Sequence, residues 1–307
     1  MRKLVIAFDT SNYTTSCAVF DGEQGQNSGR LLDVAPGQLG LRQSDALFSH
    51  VKRLPEIVKA LDVEGKIIAV GASTKPRETE DSYMPCFLAG SSQGEVMAKM
   101  LGVPFFAFSH QQGHIAAALW SAGREELLKE PHLAWHLSGG TTELLYVRPF
   151  ETAVRCEIIG GTSDVSAGQL IDRTGQALGL PFPSGREIDR LAALADRESF
   201  YAPKTRDMVF SLSGVEHKMK GLLEKGEKPE NIAYFALASV IQAVSKATQQ
   251  AKEKYGNLPV LYSGGVASNS LLRKRTPDGI FAEPKYSTDN AMGTAILTYR
   301  TAMAKGL

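Results

Sequence analysis

Short apolar runs of strand length alternate along this chain with longer stretches of helical period, and turns rich in Ser, Gly, Asp and Asn separate them. Leu4 to Phe8 is an unbroken apolar run, the pattern of a strand buried on both faces. Asp9-Thr10-Ser11-Asn12 is a polar turn, and Thr14 to Phe20 predicts a second strand, so the first twenty residues read as a β-hairpin. Residues 44–62 space Leu47, Val51, Leu54, Ile57, Val58 and Leu61 at helical intervals, with Pro55 as the place for a kink. Ile67 to Val70 predicts a strand, Ser73 to Asp81 a charged loop without period, Phe87 to Leu101 a helix and Val103 to Phe108 another strand.

The same logic returns further on. Leu133 to Leu137 is a strand, Ser138-Gly139-Gly140-Thr141 a tight turn, and Thr142 to Val147 a strand. Val165 to Leu178 and Glu187 to Ala195 predict helices, joined by a turn that Pro181, Pro183 and Gly185 stiffen. Phe210 to Gly214 reads as a strand end, Ile232 to Tyr255 as a long amphipathic helix, and Leu258 to Tyr262 as a strand entering the glycine turn Ser263 to Asn269. Ser270 to Arg275 and Ala291 to Ala304 close the chain as helices. Two strand, polar turn, strand units, each followed by alternating helices and strands, predict a duplicated α/β architecture with its two halves facing each other.

Composition narrows the class without naming a function. The 307 residues suggest one large or two medium domains, and 43% hydrophobic with 22% charged residues is ordinary globular usage. A formal charge of +1 excludes a global field for nucleic acid, so any RNA contact has to come from local clusters such as Arg273-Lys274-Arg275. Cys17, Cys86 and Cys156 are sparse and far apart, which points to reduced thiols in a cytoplasmic protein. The apolar run after Arg2-Lys3 is too short for a signal segment, and no run reaches the roughly 18 apolar residues of a membrane span.

Candidate chemistry concentrates at the turns. Ser109 can cap a helix with Gln112 completing a capping box, which puts His110 and His114 one turn apart on one helix face. Such a pair can share a metal ion, or simply hydrogen-bond locally. Gln111 stands where a His-Glu-x-x-His protease carries its general base, and an amide cannot take that proton. Ser138-Gly139-Gly140 can form an anion nest, although most such turns only close hairpins. Asn269 follows a strand and a glycine turn, a place suited to reading a base or ribose. Asp289 either favours the dipole of the last helix or adds an oxygen ligand to the histidine pair.

Taken together, Asp9-Thr10-Ser11, His110-x-x-x-His114, Ser138-Gly139-Gly140, Asp172 with Gly179 to Gly185, Phe210 to Gly214, Gly264 to Asn269 and Thr288-Asp289-Asn290-Ala291 stand in a familiar order. It is the order seen in the TsaD-type proteins, the tRNA threonylcarbamoyladenosine synthases once labelled glycoproteases or O-sialoglycoprotein endopeptidases. The chain resembles that family over nearly its whole length. The resemblance implies an α/β class with the actin-like ATPase fold, two ribonuclease-H-like lobes around a nucleotide cleft: residues 1–122 completed by a C-terminal helix at 288–307, and residues 123–287. It implies transfer of a threonylcarbamoyl group from its adenylate to the exocyclic amine of the adenosine beside the anticodon, in tRNAs reading codons that start with A.

Carried over by position, the resemblance implies that His110, His114 and Asp289 bind one divalent metal, iron, zinc or magnesium, and act in catalysis through it. It implies a site for ATP or the adenylate at Asp9, Ser11, His136, Leu137, Ser138, Gly139, Gly140, Asp172, Gly185, Gly264, Gly265 and Asn269, with Asp189 on the ribose. It further implies tRNA as acceptor, protein partners of a tRNA-modification complex, a cytoplasmic location and no membrane. Departures accompany the matches. Asn12, Tyr13 and Thr14 replace a Cys-Asp-Glu-like run, Thr141-Thr142-Glu143 replaces His-Thr-Gln, the family's Val-Pro-Glu run before the first long helix is missing, and the charged stretch from Lys75 to Pro85 replaces an Ala-Gly-Pro-Gly-like segment. The chain therefore reads as a divergent paralogue. A non-catalytic nucleotide-binding paralogue or assembly partner is the alternative, and a metalloendopeptidase ranks below both because the helix lacks the glutamate.

Overall fold

A computed structural model of the protein describes residues 1–11, 13–33, 41–79 and 81–307. Asn12 of the expected first turn and Glu80 of the expected charged loop lie outside the described residues. The chain divides into two compact units, the first made of Met1–Glu130, Arg148–Cys156 and Thr288–Leu307, the second of Pro131–Val147 and Glu157–Ser287.

The first unit begins with strands β1 (Lys3–Asp9), β2 (Thr14–Phe20) and β3 (Gly25–Leu31), then helix α1 (Gln43–Lys59), strand β4 (Lys66–Lys75), helix α2 (Leu88–Leu101), strand β5 (Phe105–Ser109) and helix α3 (His110–Ser121). Its sheet runs β3-β2-β1-β4-β5, antiparallel across the first three strands and parallel across β1, β4 and β5. Every residue from Leu4 to Asp9 is buried, so both faces of β1 are covered, as its unbroken apolar run requires. The expected hairpin is therefore present, with Asp9 opposite Ser16. Strand β3 was not legible in the sequence. It is a largely exposed edge strand, Gly-Gln-Asn-Ser-Gly-Arg-Leu, and an edge in water imposes no apolar alternation.

The second unit carries strands β6 (His132–Leu137), β7 (Thr142–Phe150) and β8 (Ala153–Thr162), the latter two running partly into the first unit. Helices α4 (Ala167–Ala177) and α5 (Gly185–Ala192), strand β9 (Val209–Phe210), helices α6 (Ser213–Glu224) and α7 (Pro229–Tyr255), strand β10 (Val260–Ser263), helix α8 (Ser270–Arg275) and strand β11 (Ile280–Phe281) follow. Helix α9 (Met292–Ala304) belongs to the first unit. The second sheet runs β11-β10-β6-β7-β8-β9. With β9 set aside, β8-β7-β6-β10-β11 repeats the order β3-β2-β1-β4-β5, so the duplication expected from the turns is a duplication of sheet topology. Its core gathers Trp135, Phe210, Tyr262 and the inner face of α7, and the Trp135 indole N–H donates to Thr248 Oγ1 at 2.8 Å.

Two expectations need correction. Phe210 to Gly214 is not one strand end: β9 is two residues long, and α6 starts at Ser213. The apolar and hydroxyl alternation there reflects buried Phe210 and Leu212 beside a helix start, not a pleat. Ser73 to Lys75, assigned to a charged loop, finishes β4, because the pairing of β4 with β5 continues to Lys75 opposite Ser109.

Helices α3 and α9 meet backbone to backbone. A Cβ at Gly293 would lie 1.7 Å from the Gly113 carbonyl oxygen and 2.9 Å from Ala117 N, distances at which no side chain fits. Gly293→Ala should therefore destabilise the protein by about 1–3 kcal/mol as an overpacking change, seen as a lower thermal midpoint. Gly221→Ala in α6, where a Cβ meets nothing within 4 Å, is the control and should be neutral or stabilising.

Candidate metal centre and nucleotide cavity

Ser109 does cap α3. Its Oγ accepts from Gln112 N at 3.3 Å, and Gln112 Oε1 accepts from Ser109 N at 2.9 Å, so both halves of the capping box form. The cap sets where the first turn begins, with His110 as its first residue and His114 one turn on. Their Nε2 atoms lie 2.8 Å apart, and Asp289 Oδ1 is 3.5 Å from His110 Nε2 and 3.3 Å from His114 Nε2. Asp289 comes from the segment ahead of α9, where Asn290 Oδ1 accepts from Met292 N, the first amide of the helix, at 3.0 Å. The Asp289 carboxylate is thus turned to the imidazoles and not to the α9 amides.

A second layer fixes this trio. His110 Nδ1 is 2.8 Å from Asp9 Oδ2, which also accepts from Ser73 Oγ at 2.5 Å, while Asp9 Oδ1 accepts from Ser11 N at 3.1 Å. Thr14 Oγ1 donates to Asp289 Oδ2 at 3.2 Å. Burial would raise the Asp9 carboxyl, but the His110 charge and hydrogen bonds from His110, Ser11 and Ser73 outweigh it and hold it below the usual range. Burial would likewise lower His110, yet the carboxylates of Asp9 and Asp289 raise it to about 10. Asp289 is held well below the ordinary carboxylate range by both histidines, again against its burial.

These donors suit a divalent cation. With Nδ1–H given to a buried carboxylate, His110 would present the Nε2 lone pair toward Asp289 and His114 once its second proton is displaced by a metal, the tautomer that a metal-ligating histidine needs. Two imidazoles and one carboxylate make a mixed nitrogen and oxygen set for iron or zinc, and three ligands leave positions open. Ser11 Oγ is buried without a hydrogen-bond partner among the described residues, an unsatisfied polar atom close in sequence to Asp9.

The other residues singled out by sequence lie in the second unit. A cavity of about 680 Å³ is lined by Gly139, Asp172, Gly185, Asp189, Gly265 and Asn269. The Ser138 turn is closed by Ser138 N donating to Thr141 O and Thr141 N donating to Ser138 Oγ, and it is tied to the start of α4 by Ser166 Oγ donating to Gly139 O. Gly264 has φ +90°, and a Cβ there would meet Leu137 O at 2.2 Å, so only glycine lets the two turns touch. Asp172 accepts from Ser184 N at 2.8 Å. Asp189 accepts from Asn269 Nδ2 at 2.7 Å and from Ser270 N and Oγ, while Asn269 Oδ1 caps α8 by accepting from Leu272 N.

His136, Leu137, Ser138, Gly140 and Gly264 are not among the cavity's lining residues. His136 is paired within the sheet between Glu143 and Ser263, and the Leu137 side chain is fully buried core. Asp9, expected at the nucleotide, has both oxygens occupied by protein donors beside His110. Sequence reasoning missed Ser73 and Thr14 in the metal centre, and Phe182 and Arg186 in the cavity. A hydroxyl at the end of an apolar strand was the available signal for Ser73.

The geometry agrees with what the chain is similar to. The family profile described as TsaD, tRNA N6-adenosine threonylcarbamoyltransferase, matches residues 83–296. A tRNA N6-adenosine threonylcarbamoyltransferase of Halalkalibacterium halodurans is 32% identical over 300 residues, covering 92% of this chain and 84% of the relative. One from Lacticaseibacillus casei is 30% identical over 295 residues, covering 89% and 82%. Among solved structures, HypF from T. kodakarensis superposes with a TM-score of 0.60 at 14% identity, covering 99% of this chain and 48% of that one. The activator of 2-hydroxyisocaproyl-CoA dehydratase from Clostridium difficile gives 0.53 at 14% identity, covering 99% and 97%. The folds of these neighbours are of the actin-like ATPase type, as the doubled sheet order requires. With a profile match over most of its length and relatives at this identity, the chain belongs to the TsaD family of tRNA N6-adenosine threonylcarbamoyltransferases.

Proposed function

We propose that this chain transfers a threonylcarbamoyl group from its adenylate to the N6 amine of an adenosine in tRNA, using one divalent metal ion held by His110, His114 and Asp289. The observation that carries the reading is the convergence of those three side chains, from two distant segments, in a chain of this family. In the transfer the amine nitrogen bonds to the carbamoyl carbon, the bond from that carbon to the phosphate oxygen breaks, and AMP leaves as the amine gives up a proton. A bound divalent ion supplies a Lewis acid that polarises the carbonyl and offsets charge on the departing phosphate.

The residues divide the work between the two units. We take residues 1–122 with 288–307 as the lobe that holds the metal, and 123–287 as the lobe that holds the nucleotide. Asp9 orients His110 by accepting its Nδ1–H, and Thr14 steadies Asp289. The Gly139 and Gly265 turns, Asp172, Gly185 and Asn269 bind the ATP or adenylate. Asp189 acts by positioning Asn269 and the start of α8. Family-type partner proteins and a cytoplasmic site of action belong to the same reading. Among the described residues no helix is long and apolar enough to cross a membrane.

The direct test is transfer of labelled threonylcarbamoyl to a tRNA reading codons that start with A, with partner proteins supplied and nucleoside mass spectrometry as readout. Modified adenosine should appear with the unaltered chain and fall at least a hundredfold in His110→Ala and in Asp289→Ala. Bound nucleotide and metal without any transfer would move the chain to a non-catalytic nucleotide-binding paralogue. Asp9→Asn keeps all three ligands and should lower metal affinity about 10- to 100-fold, measured by metal content after dialysis against a chelator series. Because His110 is raised to about 10, it is protonated at neutral pH in the metal-free protein, so metal uptake at pH 7 should release a proton. Calorimetry in buffers of different ionisation enthalpy reads that release, which should vanish above pH 10.

A further inference from the structure

Besides the two acids and the glycine turns, the cavity of the second unit is lined by an aromatic ring from within the Gly179 to Gly185 stretch and by a cation just beyond it, neither of which the sequence assigned a role. Phe182 is 82% exposed although it lines the cavity, and it sits between Pro181 and Pro183, whose fixed φ stiffens its backbone. Arg186, in the first turn of α5, lines the same cavity and makes no ion pair or hydrogen bond with another described residue. Both acids are already used: Asp172 accepts from Ser184 N, and Asp189 is held by Asn269 and Ser270. The guanidinium was therefore not recruited to neutralise either of them.

The charges indicate what this rim can take. Two carboxylates and one guanidinium leave the lining at a formal −1, so phosphates are favoured only at the glycine-turn amides, whereas a neutral planar group meets no repulsion beside the acids. A phenyl ring offers a face for stacking, and a guanidinium is a flat, donor-only group that stacks and hydrogen-bonds to ring nitrogens. Every base has a π-face, so stacking on an aromatic side chain contributes to affinity whatever the base carries on its edge. The volume of about 680 Å³ is of the size that holds a nucleoside and more.

Resting on the adenylate reading above, we propose that Phe182 and Arg186 form a clamp on the rim of this cavity that grips the base of the bound adenine nucleotide. Phe182 supplies the stacking face and Arg186 the planar donor. The phosphates then lie away from Arg186, with the glycine-turn amides, and base recognition does not depend on their number.

The test is calorimetric binding of ADP and of AMP to the full chain and to Phe182→Ala, Phe182→Tyr, Arg186→Ala and Arg186→Lys, each checked for an unchanged thermal midpoint. Phe182→Ala and Arg186→Ala should each weaken both nucleotides about tenfold or more and by the same factor. Phe182→Tyr should bind as the unaltered chain does, and Arg186→Lys should be weakened like the alanine variant, because an ammonium keeps the charge and loses the plane. Unchanged binding in both alanine variants, while the unaltered chain binds ADP, overturns the clamp and leaves the adenylate reading standing. A loss in Arg186→Ala that is larger for ADP than for AMP also overturns it, since the guanidinium then serves phosphate. Failure of the unaltered chain to bind either nucleotide removes the adenylate reading and the clamp together.

Discussion

The hydrogen bond from His110 to the buried carboxylate of Asp9 is the contact on which the proposed metal centre depends. A carboxylate removed from water is costly unless donors surround it, and Asp9 has three: the Ser11 amide, the Ser73 hydroxyl and the His110 ring. The same arrangement selects the tautomer of His110 and turns Nε2 toward His114 and Asp289. Stabilising the carboxylate and presenting the ligand atom are one interaction seen from its two ends.

That interaction needs β1, β4, α3 and α9 to be held close, and the fold achieves this through small residues. Gly113 and Gly293 let α3 and α9 touch at backbone distance. Gly71 in β4 lies so near Thr298 of α9 that a Cβ would be 1.9 Å from its Oγ1. Ser73 Oγ, two residues on, reaches both Asp9 and Thr294 Oγ1, the latter at 3.0 Å. The helix behind the site is thereby tied to the strand and the carboxylate beneath it, and the segment bearing Asp289 leads into the start of α9.

In the second unit, polar groups expected at the ligand are largely engaged with one another. Asp189 and Asn269 form a pair that braces the start of α8, a satisfied network that specifies one arrangement of the glycine turn. On the proposed function, what remains for the nucleotide is the backbone of the turns, the Oδ2 of Asp172, and the Phe182 and Arg186 rim.

Much of this was determined by the sequence alone. The apolar runs of β1, β2, β6 and β10, the capping box of Ser109 and Gln112, the one-turn spacing of His110 and His114, and the duplication of the hairpins depend only on backbone period and on partners a few residues apart. Local chemistry is sufficient there, and the order of the motifs identified the family. Tertiary structure alone decided the rest. His110 meets Asp9 across 101 residues, and Asp289 meets Thr14 across 275, separations that no periodicity encodes. The edge strand β3 is invisible because water on its outer side removes the apolar pattern. Which carboxylates stay free for a ligand depends on donors brought in by other elements, so Asp9 and Asp189 looked available in sequence and are engaged in the fold, while Arg186 lines the cavity and makes no ion pair or hydrogen bond with another described residue.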